Sequence, residues 1–190
     1  EFKDVSLMYA GSSENTIEGL NLKVLKGQTI GVIGGTGSGK TSLINMIPRF
    51  YDATKGEVLV NGTNVKEYTE EGLRNKIGIV PQKAVLFKGT IRSNLLWGNE
   101  SATENDLMEA LKQAQSYDFV MQKENGIDSV VEQNGRNFSG GQRQRLTIAR
   151  ALVRKPEILI LDDSSSALDY TTDANLRKEI AKLKDMTVFI

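Results

Sequence analysis

The run Gly34-Gly-Thr-Gly-Ser-Gly-Lys-Thr41 decides how the rest of the chain is read. It fits G-x-x-x-x-G-K-[ST], a loop that binds phosphate. A triphosphate needs many N–H donors close to its oxygens, so the main chain must curl tightly around it. Gly34, Gly35, Gly37 and Gly39 allow those turns and put no Cβ in the way. Successive amides then form an anion-binding concavity, and a following helix adds its positive N-terminal end. Lys40 would place an ammonium on the outer phosphates, and the Thr41 hydroxyl would ligate magnesium. The flanks agree. Residues 28–33, Gln-Thr-Ile-Gly-Val-Ile, read as a buried strand, and residues 41–49 read as a helix closed near Pro48. A merely flexible glycine-rich loop would not need every fixed position of the pattern in a strand–loop–helix setting.

A second signal is Ile-Leu-Ile-Leu-Asp-Asp at residues 158–163. An apolar strand ending in carboxylates is the other half of such a site. It carries Asp162 to the sheet edge beside the loop, where the carboxylate would hold magnesium through water. Asp163 stands where a general base could orient an attacking water, and equally where a turn residue would stand. A glutamate would reach roughly 1.5 Å further, and misplacing a reacting group by about 1 Å can cost ~100-fold in rate. Asp163 therefore reads as a site residue that is short for a base.

The third signal is Asn-Phe-Ser-Gly-Gly-Gln at residues 137–142. Ser139, Gly140 and Gly141 open a helix expected over residues 140–153, with Leu146, Ala149, Leu152 and Val153 on one face. Free N–H groups, a hydroxyl and a positive dipole make that tip an anion site. A plain serine cap would not call for two glycines and Gln142. The chain thus holds two phosphate-binding features about 100 residues apart.

Composition narrows the rest. At 190 residues the chain is one domain with room for a second lobe, and it can bury a real core. Its 24 Lys and Arg balance 24 Asp and Glu, which suggests neither a nucleic-acid surface nor a polybasic membrane patch. With no cysteine there is no disulfide or thiolate metal site, which suits a reducing compartment. With no histidine there is no imidazole acid–base group. No apolar run approaches the ~20 residues of a membrane helix, so no insertion of this chain into a membrane is expected, and no signal peptide is visible. Glu1 enters directly into a strand-like stretch and residues 186–190 stop in mid-strand, so the chain is expected to be a piece of something longer.

Alternation and turn signals predict strands at residues 2–9, 20–24, 29–33, 56–60, 77–80, 157–161 and 187–190. Helical spacing with Thr, Ser or acidic starts predicts helices at 90–96, 103–115, 117–123 and 172–183 besides the two already named. Thr103 with Asp106 resembles a capping box one residue type removed.

With these motifs in order, the chain resembles the nucleotide-binding domain of an ABC transporter nearly end to end. Walker A corresponds to residues 34–41, Walker B to 158–162 and the SGGQ signature to 139–142. The resemblance implies an α/β fold: a P-loop (RecA-like) core with a mixed sheet, an antiparallel β subdomain and a helical signature subdomain. One domain, residues 1–190, would divide into an ATP-binding core at 1–82 and 156–190 and a helical part at 83–155. It implies ATP and Mg²⁺ as ligands. Nucleotide contacts would come from Tyr9, matching the aromatic that stacks on adenine, from Gly34, Gly35, Thr36, Gly37, Ser38, Gly39, Lys40, Thr41 and Ser42, and from Ser139, Gly140, Gly141 and Gln142. Gln82 matches the Q-loop and, with Thr41 and Asp162, would serve magnesium; Gln82 and Asp163 would handle the water. Residues 166–169, Ser-Ala-Leu-Asp, match the D-loop. Residues 86–91 with Asn94 are similar to the segment that faces the coupling helices in exporters.

The resemblance also implies partners: a second nucleotide-binding domain bound head to tail, and a transmembrane domain, placing the chain at the cytoplasmic face of the cell membrane. Spacing alone leaves open a fold-back of the signature onto the same chain's loop. Three departures stand out. Asp163 replaces the usual glutamate, Phe138 replaces the usual leucine, and Gln133 stands where exporters have glutamate. The position of the family's switch histidine would fall beyond Ile190. An intact signature with Asp163 resembles the degenerate-site half of a heterodimeric multidrug exporter. The other classes that fit are a regulatory module that binds ATP with little hydrolysis and a soluble ABC ATPase outside transport.

Overall fold

The computed structural model describes residues 1–164 and 166–190. Its strands in chain order are β1 (Phe2–Leu7), β2 (Ile17–Leu22), β3 (Thr29–Ile30), β4 (Lys55–Val60), β5 (Thr63–Asn64), β6 (Ile77–Val80), β7 (Gly89–Thr90), β8 (Val130–Val131), β9 (Ile158–Leu161) and β10 (Thr187–Phe189). The α-helices are α1 (Lys40–Met46), α2 (Glu70–Arg74), α3 (Ile91–Leu96), α4 (Glu104–Gln113), α5 (Tyr117–Met121), α6 (Gly140–Val153) and α7 (Tyr170–Ala181). No helix among the described residues is long and apolar enough to cross a membrane.

Four parallel strands run β3-β10-β9-β6, with Phe189 opposite Ile160 and Val80 opposite Leu161. β9 is apolar at every position because it is covered on both faces. Leu159 and Leu161 point into a cluster with Leu146, Leu152, Leu107, Leu111 and Leu95. Ile158 and Ile160 face a second cluster with Ile44 and Met46 of α1, Ile47 just after it, and Phe2, Val5 and Val58 of the antiparallel sheet β2-β1-β4-β5. Period-two alternation along one short strand thus divides two cores. The expected face of α6 is confirmed: Leu146, Ala149, Leu152 and Val153 are all buried.

The strand order puts the chemistry at one end. β3 leads into the glycine loop, β6 stops two residues before Gln82, and β9 stops just before Asp162 and Asp163. The carboxyl ends of parallel strands are where α/β sheets bind ligands. One expectation is corrected here: β9 is interior, and β10 separates it from β3, so Asp162 reaches the loop from the middle of the sheet.

Element bounds shift for identifiable reasons. The strand expected at 20–24 is Ile17–Leu22, set by its pairing to β1 with Leu7 opposite Ile17 and Phe2 opposite Leu22. The strand expected at 29–33 holds ladder geometry only at Thr29–Ile30; its last rung is the 2.7 Å bond from the Val32 amide to the Ile190 carbonyl. The last helix starts at Tyr170, before the expected 172, because the Asp169 carboxylate accepts from the Thr172 amide at 2.9 Å. Thr103 and Asp106 do form a capping box. Ser116 does not cap α5: its hydroxyl donates to the Leu111 carbonyl at 3.0 Å.

Candidate nucleotide site

Gly37 and Gly39 take φ of 82° and 88°, the left-handed region where a side chain is strained. Gly34 is needed for space: a Cβ there would come within 2.4 Å of Ser38 Oγ. Around Gly35 and Gly37 nothing lies within 4 Å of the Cβ position, so the loop is uncrowded there. Lys40 Nζ turns back over the loop and donates to the Gly34 and Gly35 carbonyls at 2.5 and 2.9 Å. The loop closes one end of a cleft of about 840 Å³ that also takes in Tyr9, Thr41, Gln82, Asp162 and Asp163.

Within this cleft, residues far apart in sequence pair. Thr41 Oγ1 donates to both Asp162 oxygens at 3.2 and 3.3 Å. That is a hydroxyl and a carboxylate side by side, an all-oxygen donor set suited to a hard divalent cation. Gln82 Nε2 donates to Asp163 Oδ2 at 2.9 Å. Tyr9 OH shares a hydrogen bond with Ser42 Oγ at 2.7 Å. Ser42 is buried yet among the residues lining the cleft, so its hydroxyl ties Tyr9 to the helix behind the loop.

The second anion feature lies elsewhere. Ser139 caps α6, with its Oγ accepting from the Gln142 amide at 3.2 Å and Gln142 Oε1 accepting from the Ser139 amide at 3.0 Å. Gln142 is therefore the reciprocal partner of the cap, a role the sequence reading had set aside. Gly141 packs closely on a neighbour: a Cβ would lie 3.1 Å from the Ala167 carbonyl of the 166–169 loop. Phe138 is buried, with Lys123 Nζ 4.5 Å from its ring centroid, so the aromatic is accommodated where leucine was expected. Ser139 and Gly140 are exposed, and none of the described residues lining the cleft comes from 139–142. The fold-back left open by spacing is not what the chain adopts.

Sequence reasoning missed one aromatic surface. Asn94 is buried and fixes the 86–91 segment, accepting from the Phe87 amide at 2.8 Å and donating to the Phe87 and Thr90 carbonyls. Phe87 then stacks on Trp97 at 4.6 Å and 24° between planes, and both are exposed, by 41% and 68%. Arg150 lies over the Phe87 ring as well, 5.5 Å from its centroid, and donates to the Val85 carbonyl. Burial lowers the pKa of the Arg150 guanidinium. An isolated Trp in a helical tail gives no signal that a ring will be stacked beneath it.

The model of the ABC transporter family matches residues 17–166, spanning the glycine loop, the signature and the strand end. The chain belongs to the ABC transporter family. It is 43% identical over 190 residues to the uncharacterized ABC transporter ATP-binding protein YfiB of Bacillus subtilis, covering 100% of this chain and 33% of that protein. The putative multidrug export ATP-binding/permease protein YgaD of the same organism is 40% identical over 191 residues, with the same coverage. A Staphylococcus aureus protein named in the same way is 42% identical over 187 residues, 98% of this chain and 32% of its own. In three dimensions the chain matches a bacterial Atm1-family ABC exporter with ATP bound, at a TM-score of 0.92 and 34% identity over 99% of this chain and 33% of that one. The fold is thus the mixed α/β fold of an ABC exporter's nucleotide-binding part, and the chain spans about a third of the length of these relatives.

Proposed function

We propose that this chain is the ATP-binding and ATP-hydrolysing motor of an ABC exporter for drug-like or lipid-like cargo. The supporting observation is the convergence of Lys40, Thr41, Asp162, Gln82 and Asp163 on one cleft at the carboxyl ends of β3, β9 and β6. Exporter relatives and the ATP-bound exporter neighbour favour the same reading.

The uncrowded loop at Gly35 and Gly37 would let a triphosphate approach the main chain. Lys40 would exchange the Gly34 and Gly35 carbonyls for phosphate oxygens, a stronger charge-assisted bond. Tyr9 would offer its ring to adenine. Mg²⁺ would be held by Thr41, Asp162 and Gln82 and would neutralise phosphate charge. Gln82 and Asp163, already bonded to each other, would position the water.

The exposed tip at Ser139 and Gly140 would cover the nucleotide of a second, head-to-tail domain. Ser139 Oγ accepts the cap bond, which leaves its O–H to donate outward to phosphate. Residues 83–155 would form the helical part and residues 1–82 with 156–190 the ATP-binding core. The transmembrane partner would dock at the 86–97 surface, placing the domain at the cytoplasmic face of the membrane. A second reading, a regulatory module with slow hydrolysis in one half of a heterodimer, is favoured by Asp163, whose short carboxylate is taken up by Gln82.

Lys40→Ala in the full-length transporter is expected to weaken Mg-ATP binding by about 10- to 100-fold, the worth of a charge-assisted hydrogen bond. Calorimetry reads this directly. Unchanged affinity would remove the basis for the proposal.

A further inference from the structure

Among the described residues lining the cleft, Tyr9 and Phe189 carry aromatic rings; Phe189 is buried, and Tyr9 is held from two directions. Its hydroxyl reaches Ser42 Oγ at 2.7 Å, on the helix that carries Lys40 and Thr41. Its ring meets Tyr51 edge to face, with centroids 5.0 Å apart and planes at 87°. Tyr51 does not line the cleft. The segment that carries it is anchored on both sides. Arg49, at φ 58°, forks onto Asp52 with Nε to Oδ1 at 2.9 Å and Nη2 to Oδ2 at 3.4 Å. Thr54 donates its amide and its hydroxyl to the Ser6 carbonyl of β1 at 2.9 and 3.0 Å. A side chain on so tightly tied a turn can fix a neighbour's ring.

We infer that Tyr51 is a positioning residue for base recognition, acting through Tyr9, and that this contact selects for nucleotides over bare polyphosphate. The inference rests on the proposal that Tyr9 stacks on the base. A T-shaped pair aims the ring edge of one partner at the π face of the other and restricts ring tilt. With its hydroxyl fixed as well, Tyr9 is preorganised, so less ordering is needed when a planar base arrives.

The test compares Mg-ATP with Mg-tripolyphosphate, which lacks base and sugar, on the full-length protein. Tyr51→Leu is expected to weaken ATP binding about three- to tenfold, the worth of one aromatic pair, and to leave tripolyphosphate binding unchanged. Tyr51→Phe keeps the ring and is expected to bind like the parent. In a Tyr9→Leu background, Tyr51→Leu is expected to add nothing. Thermal unfolding of each variant separates these effects from loss of fold. The inference is overturned if Tyr51→Leu leaves ATP affinity intact, weakens both ligands alike, or retains its full effect without Tyr9. Should Tyr9→Leu itself leave ATP affinity unchanged, the base-stacking reading falls and the role of Tyr51 falls with it.

Discussion

Asp163 holds φ at 46°, a left-handed conformation that aspartate tolerates better than most side chains. Its carboxylate takes the Gln82 amide at 2.9 Å, so the two groups expected to manage the attacking water satisfy each other. One more methylene would carry the carboxylate past that contact and further into the cleft. Asp163→Glu is therefore expected to raise ATP turnover in the full-length protein by as much as ~100-fold, the reverse of the penalty for a base misplaced by about 1 Å. Mg-ATP affinity should change little, because Lys40 and the loop amides are untouched. A steady-state phosphate-release assay decides it: an unchanged rate means that the length of this carboxylate is not what limits the site.

Among the described residues, α3, α4 and α6 each open on a reciprocal capping box. In α4 the Asp106 carboxylate receives the Lys155 ammonium at 2.6 Å together with the amide and hydroxyl of Thr103, and these partners hold its pKa well below the usual carboxylate range. A lowered folded-state pKa means the contribution to stability is present above the unfolded value near 4 and fades as pH falls below it. Melting temperatures of the parent and Asp106→Asn are thus expected to differ at pH 6 and to converge on acidification below about pH 4. A gap that stays constant through that range would assign the effect to packing. This box was legible because it is local, as were the apolar run of β9 and the glycine loop. The two-residue strands β5, β7 and β8 were not, since their partners across the sheet define them and nothing in two residues does. The Tyr51–Tyr9 and Phe87–Trp97 contacts were missed for the same reason, and so was the bond from Ser42 to Tyr9.

Across the whole molecule, α6 joins two surfaces. It begins at Gly140, next to the exposed Ser139 cap, and ten residues later carries Arg150, which lies over the Phe87 ring that stacks on Trp97. At 1.5 Å per residue, about 15 Å of rigid helix separates them. Its buried face packs on α3, α4 and β6, so the tip and the aromatic patch are fixed on one rod. An exposed stacked aromatic pair rimmed by polar groups is the composition of an interface centre, and here it would meet the permease part of the transporter. Trp97→Ala is expected to leave Mg-ATP affinity within about twofold, because neither Trp97 nor Phe87 lines the cleft. Docking should weaken by roughly 2 kcal/mol or more, as for a central aromatic anchor. The readout is cargo transport per ATP hydrolysed in reconstituted vesicles, and that ratio should drop. If transport and hydrolysis keep their ratio, force leaves the domain by another surface; if ATP binding is lost as well, the patch supports the fold and not the coupling.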